Sequence, residues 1–219
     1  MEAGVEQASE AAERRWLLPL LLVVLVLLGV SGWQPYERST WWMEVAPILI
    51  AAPVLVFTHR RFPLTSLLYA LIAMHAVILL VGGAYTYARV PAGFWVQETF
   101  GLSRNPYDKL GHFAQGFVPA MIAREIFVRQ GIVRAGHWPA VLAAACALSV
   151  SLLYELVEWG AAVALGQGAE AFLGTQGDPW DTQSDMGMAC LGAVVALALL
   201  SRVQDAQVAR LRSARGTSA

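Results

Sequence analysis

Six stretches dominated by apolar residues, separated by short polar segments, set the pattern of the chain. They lie at about Trp16 to Gly32, Met43 to Phe57, Leu64 to Ala84, Asp108 to Val128, Trp138 to Val163 and Met186 to Ser201. A membrane-crossing helix takes roughly 20 apolar residues, so the pattern predicts an all-α polytopic membrane helix bundle with six transmembrane helices. Pro19 falls in the first turn of the first span, where it is tolerated. The second span is short and holds Pro47 and Pro53, and Pro119 bends the fourth. The alanine- and leucine-rich fifth span permits close helix contact. Part of the long connection from Tyr85 to Tyr107 is expected to lie on the bilayer surface. Residues 1–15 form an N-terminal segment, 16–201 the membrane domain and 202–219 a basic tail, with no internal repeat and no interdomain linker.

Composition agrees with this division. Soluble domains carry about 45–50% apolar and about 25% charged residues, whereas this chain has 57% hydrophobic and 14% charged residues. Its 219 residues leave no room for a separate soluble domain. A net charge of −1 gives no case for a nucleic-acid partner. Cys146 and Cys190 each sit in an apolar run, where a thiol packs as a small hydrophobe, and they imply neither a disulfide framework nor a zinc ribbon. Arg14-Arg15 followed by Trp16 to Val30 has the outline of a signal peptide, but its length favours an uncleaved first span.

Charge placement predicts orientation. With the N-terminus inside, the cytoplasmic segments hold Arg14, Arg15, Arg60, Arg61, Arg124, Arg129, Arg134, Arg202, Arg210, Arg212 and Arg215, while the other face holds Arg38, Arg89, Arg104 and Lys109. The positive-inside rule then puts both termini in the cytoplasm of a bacterial cell whose inner membrane the chain crosses. Trp33, Trp41 and Trp42 are expected at interface depth.

This orientation fixes the depth of the polar residues. Asp108, His112 and Gln115 fall in the outer half of the fourth span, and Glu155 and Glu158 in the outer half of the fifth. Asp178, Asp181 and Asp185 belong to the outer loop and the start of the sixth. Residues three or four apart share a helix face, so Asp108 with His112, and Glu155 with Glu158, are candidate pairs, and Asp181 with Asp185 is another if the helix of the sixth span starts early. Carboxylates inside a membrane are costly unless paired, protonated or facing a wet cavity. Three readings explain them. One is a divalent-metal site of carboxylates and one histidine, in which Asp108, His112, Glu155, Asp181 and Asp185 are ligands, with Mn, Zn or Mg the leading ions. There Glu155, Glu158 and Asp178 act as acid or base on a polarised phosphoryl or acyl group. The second is a hydrogen-bond and ion-pair network that locks the helices, with Lys109 or Arg104 as counter-ions, and the third is a proton or ion path.

Several residues carry plainer expectations. Asp178-Pro179 reads as a turn starter and Ser184 as a helix cap. His75 is expected to hydrogen-bond between helices, Tyr154 and Trp159 to pack or sit at the interface, and Glu98 and Glu170 to be solvated.

Three blocks carry a family resemblance: Tyr107-Asp108-Lys109-Leu110-Gly111-His112-Phe113, Tyr154-Glu155-Leu156-Val157-Glu158-Trp159, and Gly177-Asp178-Pro179-Trp180-Asp181-Thr182-Gln183-Ser184-Asp185-Met186. They resemble the motif blocks of the YjdF-like bacterial inner-membrane proteins, over nearly the whole chain. That resemblance implies a polytopic membrane protein. More loosely, Asp-Lys-x-x-His-Phe, a later acid and an Asp heading the final span are similar to VanZ-like proteins, associated with glycopeptide-antibiotic resistance. That likeness would single out Asp108, His112, Glu155 and Asp185, and the chain departs from it in Glu158 and in its longer acidic loop.

The functional expectation is a metal-dependent hydrolase or transferase acting on a lipid-linked or cell-envelope substrate, in contact with membrane lipids. The alternative is a non-catalytic transporter or VanZ-like resistance factor, whose acids would continue along a path past mid-membrane.

Overall fold

The computed structural model describes residues 15–133, 136–165 and 176–216, and these are helical throughout their regular parts. Seven helices follow in order: α1 (Leu17–Trp33), α2 (Arg38–Thr58), α3 (Ser66–Tyr85), α4 (Pro91–Phe100), α5 (Tyr107–Gln130), α6 (Trp138–Leu165) and α7 (Asp181–Gly216). Four of them, α2, α3, α6 and α7, are long and apolar enough to cross a membrane, and α1 is a shorter apolar helix. The expectations for Glu170, Arg134 and most of the N-terminal segment fall outside the described residues.

The polar character of α5 follows from its position. It packs most extensively, against α7, α6 and α3. It buries Asp108, His112, Gln115 and Glu125 along with its apolar residues. A helix whose polar side chains meet neighbouring helices does not need a uniformly apolar surface. Gly116 and Gly192 allow the closest approach: a Cβ on Gly116 would collide with the Ala189 carbonyl, and one on Gly192 with the Phe113 carbonyl. This α5–α7 contact brings the first turns of both helices together.

Three boundaries differ from the sequence expectation. Arg38 to Trp42, expected in a loop, begins α2, because Glu37 caps the helix through the Ser39 and Thr40 amides. Asp181 to Asp185, also expected in a loop, forms the first turn of α7, which then continues past Ser201 through the described part of the basic tail. Their charges are neutralised by partners from other segments, which the local pattern does not reveal. The connection before α5 contains the short helix α4, introduced by Pro91 at its first position.

Other details also change. Trp41 is buried, its Nε1 donating to Ser31 Oγ at 3.1 Å and its ring lying over Gly32, so it is a packing residue between α1 and α2. Trp33 and Trp42 are exposed. Cys146 and Cys190 are free and exposed on the bundle surface, so they are not core filling.

The bundle has two polar ends. At one, buried Glu125 accepts from the Thr65 amide at 3.0 Å, the Thr65 hydroxyl at 2.7 Å and Arg129 Nη1 at 2.7 Å, tying α3 to α5. Arg124 reaches Gln204 and Asp205, and Arg212 the Val128 carbonyl, which joins α7 to the same end. The acids singled out from the sequence collect at the other end.

Candidate functional site

The site is assembled from the starts of α5 and α7, the later half of α6, the second turn of α2 and the turn after α3. Its outer layer is an ion-pair network. Arg104 Nη2 lies 3.1 Å from Asp178 Oδ2 and 2.6 Å from Asp181 Oδ1. Lys109 Nζ donates to Asp181 Oδ1 at 2.9 Å, Asp185 Oδ1 at 2.7 Å and Ser184 Oγ at 2.6 Å. Gln176 fastens this segment to the one before α5, exchanging two hydrogen bonds with the Asn105 backbone at 3.1 and 3.0 Å. Both expected counter-ions are therefore engaged. Asp178 also accepts from the Trp180 amide at 2.9 Å, the turn its sequence suggested.

Below this layer lies His112. Its Nε2 is 3.5 Å from Asp108 Oδ1 and 3.8 Å from Asp185 Oδ1, and its Nδ1 is 3.1 Å from Gln115 Oε1 and 3.7 Å from Glu155 Oε1. With Gln115 Oε1 as acceptor, Nδ1 carries a proton, and Nε2 is left facing two carboxylate oxygens. One ligand atom each from Asp108, His112 and Asp185 lies within 4.8 Å of the other two. Ligands of one Zn-sized ion, bound at about 2.0–2.2 Å, lie at most about 4.4 Å apart, so the His112 separations fit an ion with little movement. A histidine whose second nitrogen is held by a hydrogen bond is also the usual arrangement of a metal ligand.

The acids outnumber the cations on this inner side. Glu44, Asp108, Glu155 and Glu158 are all buried, and His112 is the basic group placed among them. Asp108 Oδ2 and Glu155 Oε1 have no hydrogen-bond partner among the described residues. Asp181, by contrast, lies in the outer network, and Asp178 at its rim.

Sequence reasoning missed Glu44 and Tyr87 and undervalued Tyr154. The Tyr154 hydroxyl donates to Glu44 Oε2 at 2.9 Å, so this tyrosine is a site residue and not a belt aromatic. Tyr87 is buried against the same carboxylate, and burial, followed by the Glu44 charge, pushes its phenol well above the ordinary value. Thr86 and Tyr87 both adopt left-handed backbone, φ +56° and +48°. Such strain persists only where surrounding structure over-determines it. Gly82 and Gly111 supply that setting, since a Cβ at either would strike the Tyr87 ring. The signal that existed was a lone acid, Glu44, two residues after a Trp pair in an apolar run.

A cavity of about 640 Å³ opens onto this cluster. Glu44, Tyr87, Asp108, His112, Gln115, Tyr154 and Glu158 line one end, and mostly apolar side chains of α1, α2, α3 and α5 line the rest. His75 borders it at mid-length, its Nε2 buried with no hydrogen-bond partner among the described residues, where an interhelical hydrogen bond was expected. His59 and Tyr69, 2.6 Å apart, mark the far end. Trp159 and Glu98 are exposed, as expected.

Residues 16–206 match the family described as "Predicted membrane protein (DUF2238)". The chain belongs to that family. It is also 54% identical, over 204 residues, to a protein of Escherichia coli (strain K12) named "Inner membrane protein YjdF", covering 90% of this chain and 96% of the relative. No solved structure matches. The YjdF-like resemblance of the three motif blocks is thus borne out, and all three contribute to the site. The family, the relative and the four spanning-length helices support a multi-pass inner-membrane location. The looser VanZ likeness rests on the sequence pattern alone.

Proposed function

We propose that this DUF2238 protein is a six-span inner-membrane enzyme with both termini cytoplasmic, hydrolysing or transferring a phosphoryl or acyl group of a lipid-linked or envelope substrate on the extracytoplasmic side. The observation that carries the reading is His112 Nε2, turned toward Asp108 Oδ1 and Asp185 Oδ1 while Nδ1 is held by Gln115. Asp108, His112 and Asp185 would hold a divalent cation, Mn, Zn or Mg. Bound there, such an ion supplies Lewis acidity toward an ester oxygen and acidifies a bound water. Glu158, on the cavity wall, and Glu155, 3.7 Å from His112, are the acid and base groups. The cavity gives a lipid-linked substrate an apolar berth beside them.

The six-span arrangement treats α5 and α1 as spans, one sheltered by its neighbours and the other lipid-facing. It puts the arginine-rich end in the cytoplasm and the acidic end outside.

A turnover assay on a panel of lipid-linked phosphates and acyl esters tests the reading, with purified protein before and after chelation. Activity that falls with metal removal and in Glu158→Gln at unchanged fold supports it, and turnover indifferent to both rejects it. A non-catalytic transporter is the second reading. It is favoured by the cavity continuing past His75 to the His59–Tyr69 pair, beyond the depth at which the sequence placed polar groups.

A further inference from the structure

We propose that the cavity binds a single-chain cationic amphiphile, its ammonium head seated among Glu44, Asp108 and Glu158 and its hydrocarbon chain laid between α1, α2, α3 and α5. This goes beyond the metal reading and does not need it: it shares Asp108 with the Asp108–His112–Asp185 trio, and the head is proposed for the metal-free site, where Glu44 and Glu158 add carboxylates outside that trio.

Shape comes first. The volume, about 640 Å³, is that of a small-molecule pocket, which spans roughly 300–1,000 Å³. Along α2 the lining runs from Glu44 to His59, which at 1.5 Å rise per residue is about 22 Å. One leaflet's hydrocarbon depth is about 15 Å, half of a core about 30 Å thick. The walls between the ends are apolar, among them Val24, Ile48, Ala52, Ile72, Leu79 and Val118, apart from His75 at mid-length. Water gains little along such a surface, and a methylene chain fits it.

Charge selects the head. Three carboxylate residues, Glu44, Asp108 and Glu158, line the polar end, with His112 as the basic group on that wall. Arg104 and Lys109 do not line it: Arg104 is paired with Asp178 and Asp181, and Lys109 with Asp181 and Asp185. Asp108 is 8% exposed and its Oδ2 has no hydrogen-bond partner among the described residues. An ammonium brings positive charge to carboxylates short of it, whereas in the metal-free site an anionic head would meet like charge at low dielectric. The rings of Tyr87 and Tyr154 stand on the same wall, and aromatic faces attract ammonium and quaternary ammonium groups. The strained turn that holds Tyr87 in place is explained by this role.

The full chain, purified in a neutral maltoside detergent and stripped of metal with a chelator, is tested by native mass spectrometry. The probes are hexadecyltrimethylammonium, hexadecanol and hexadecyl sulfate. The proposal predicts one bound hexadecyltrimethylammonium, favoured over hexadecanol by about tenfold or more. The preference shrinks toward unity in Glu44→Gln and in Glu158→Gln, and Ala52→Trp, which fills the apolar stretch, loses all three probes. Equal retention of the three probes by wild type, or a preference unchanged in the folded glutamine variants, overturns the proposal. If one glutamine variant does not fold, the other still decides. Displacement of bound hexadecyltrimethylammonium by hexadecylamine supports the proposal, and failure of hexadecylamine to displace it overturns the proposal.

Discussion

At the residue scale, the chain separates polar groups that fix structure from those that face a cavity. Glu125 is the clearest of the first kind: fully buried, it satisfies Thr65 and Arg129 together. Removing one partner of a buried ion pair costs about 3–5 kcal/mol, so Glu125→Ala is expected to lower stability by that order in detergent unfolding. An unchanged midpoint would remove it from the latch. Glu37 is milder. Desolvation pushes its carboxyl up, but hydrogen bonds from the Ser39 and Thr40 side chains and amides outweigh it and hold it at about 2 instead of 4.5. Its folded value is depressed, so the cap's contribution is present above the unfolded value and disappears as pH falls toward 2. Glu37→Ala should cost about 1 kcal/mol at neutral pH, with the difference from wild type narrowing in acid. A mutational cost that stayed constant to pH 2 would contradict the cap.

At the element scale, the α5–α7 contact positions the site. Gly116 and Gly192 have no space for a side chain because each faces a carbonyl of the other helix. Gly116→Val should therefore cost at least about 3 kcal/mol, and it should separate Asp185 from His112. Folded yield and thermal stability in detergent measure it, and a tolerated valine would show that the helices do not approach so closely. The same scale shows what was legible in the sequence. Apolar runs located most of the helices, and the i, i+4 spacing correctly paired Asp108 with His112. Boundaries failed where charge was neutralised from a distance. Asp181 to Asp185 reads as a loop until Arg104 and Lys109, more than 70 residues earlier, are seen beside it. Glu44 escaped notice for the same reason, since its partners Tyr154 and Tyr87 come from other segments.

At the scale of the whole molecule, the two polar ends make opposite demands on the membrane. The basic end, with Arg124, Arg129 and Arg212 in a satisfied network, suits the cytoplasmic face. A fluorescent reporter at either terminus should then be active in the cytoplasm, and a periplasm-dependent reporter there inactive. The reverse pattern would invert the topology and move the acidic site inside. That site places Glu44, Asp108, Glu155 and Glu158 around one histidine at the mouth of an apolar cavity, so that the acids outnumber the basic group and further positive charge would be accommodated. The central claim is that a divalent cation supplies part of it. The direct test is elemental mass spectrometry of the detergent-purified protein after loading with Mn, Zn or Mg, comparing wild type with Asp185→Asn and Glu155→Gln. The account predicts about one metal per chain in wild type and in Glu155→Gln, and its loss from folded Asp185→Asn. Folded wild type that retains none of the three ions would contradict it, leaving the ion pairs of Lys109 and Arg104 as the reason for the cluster.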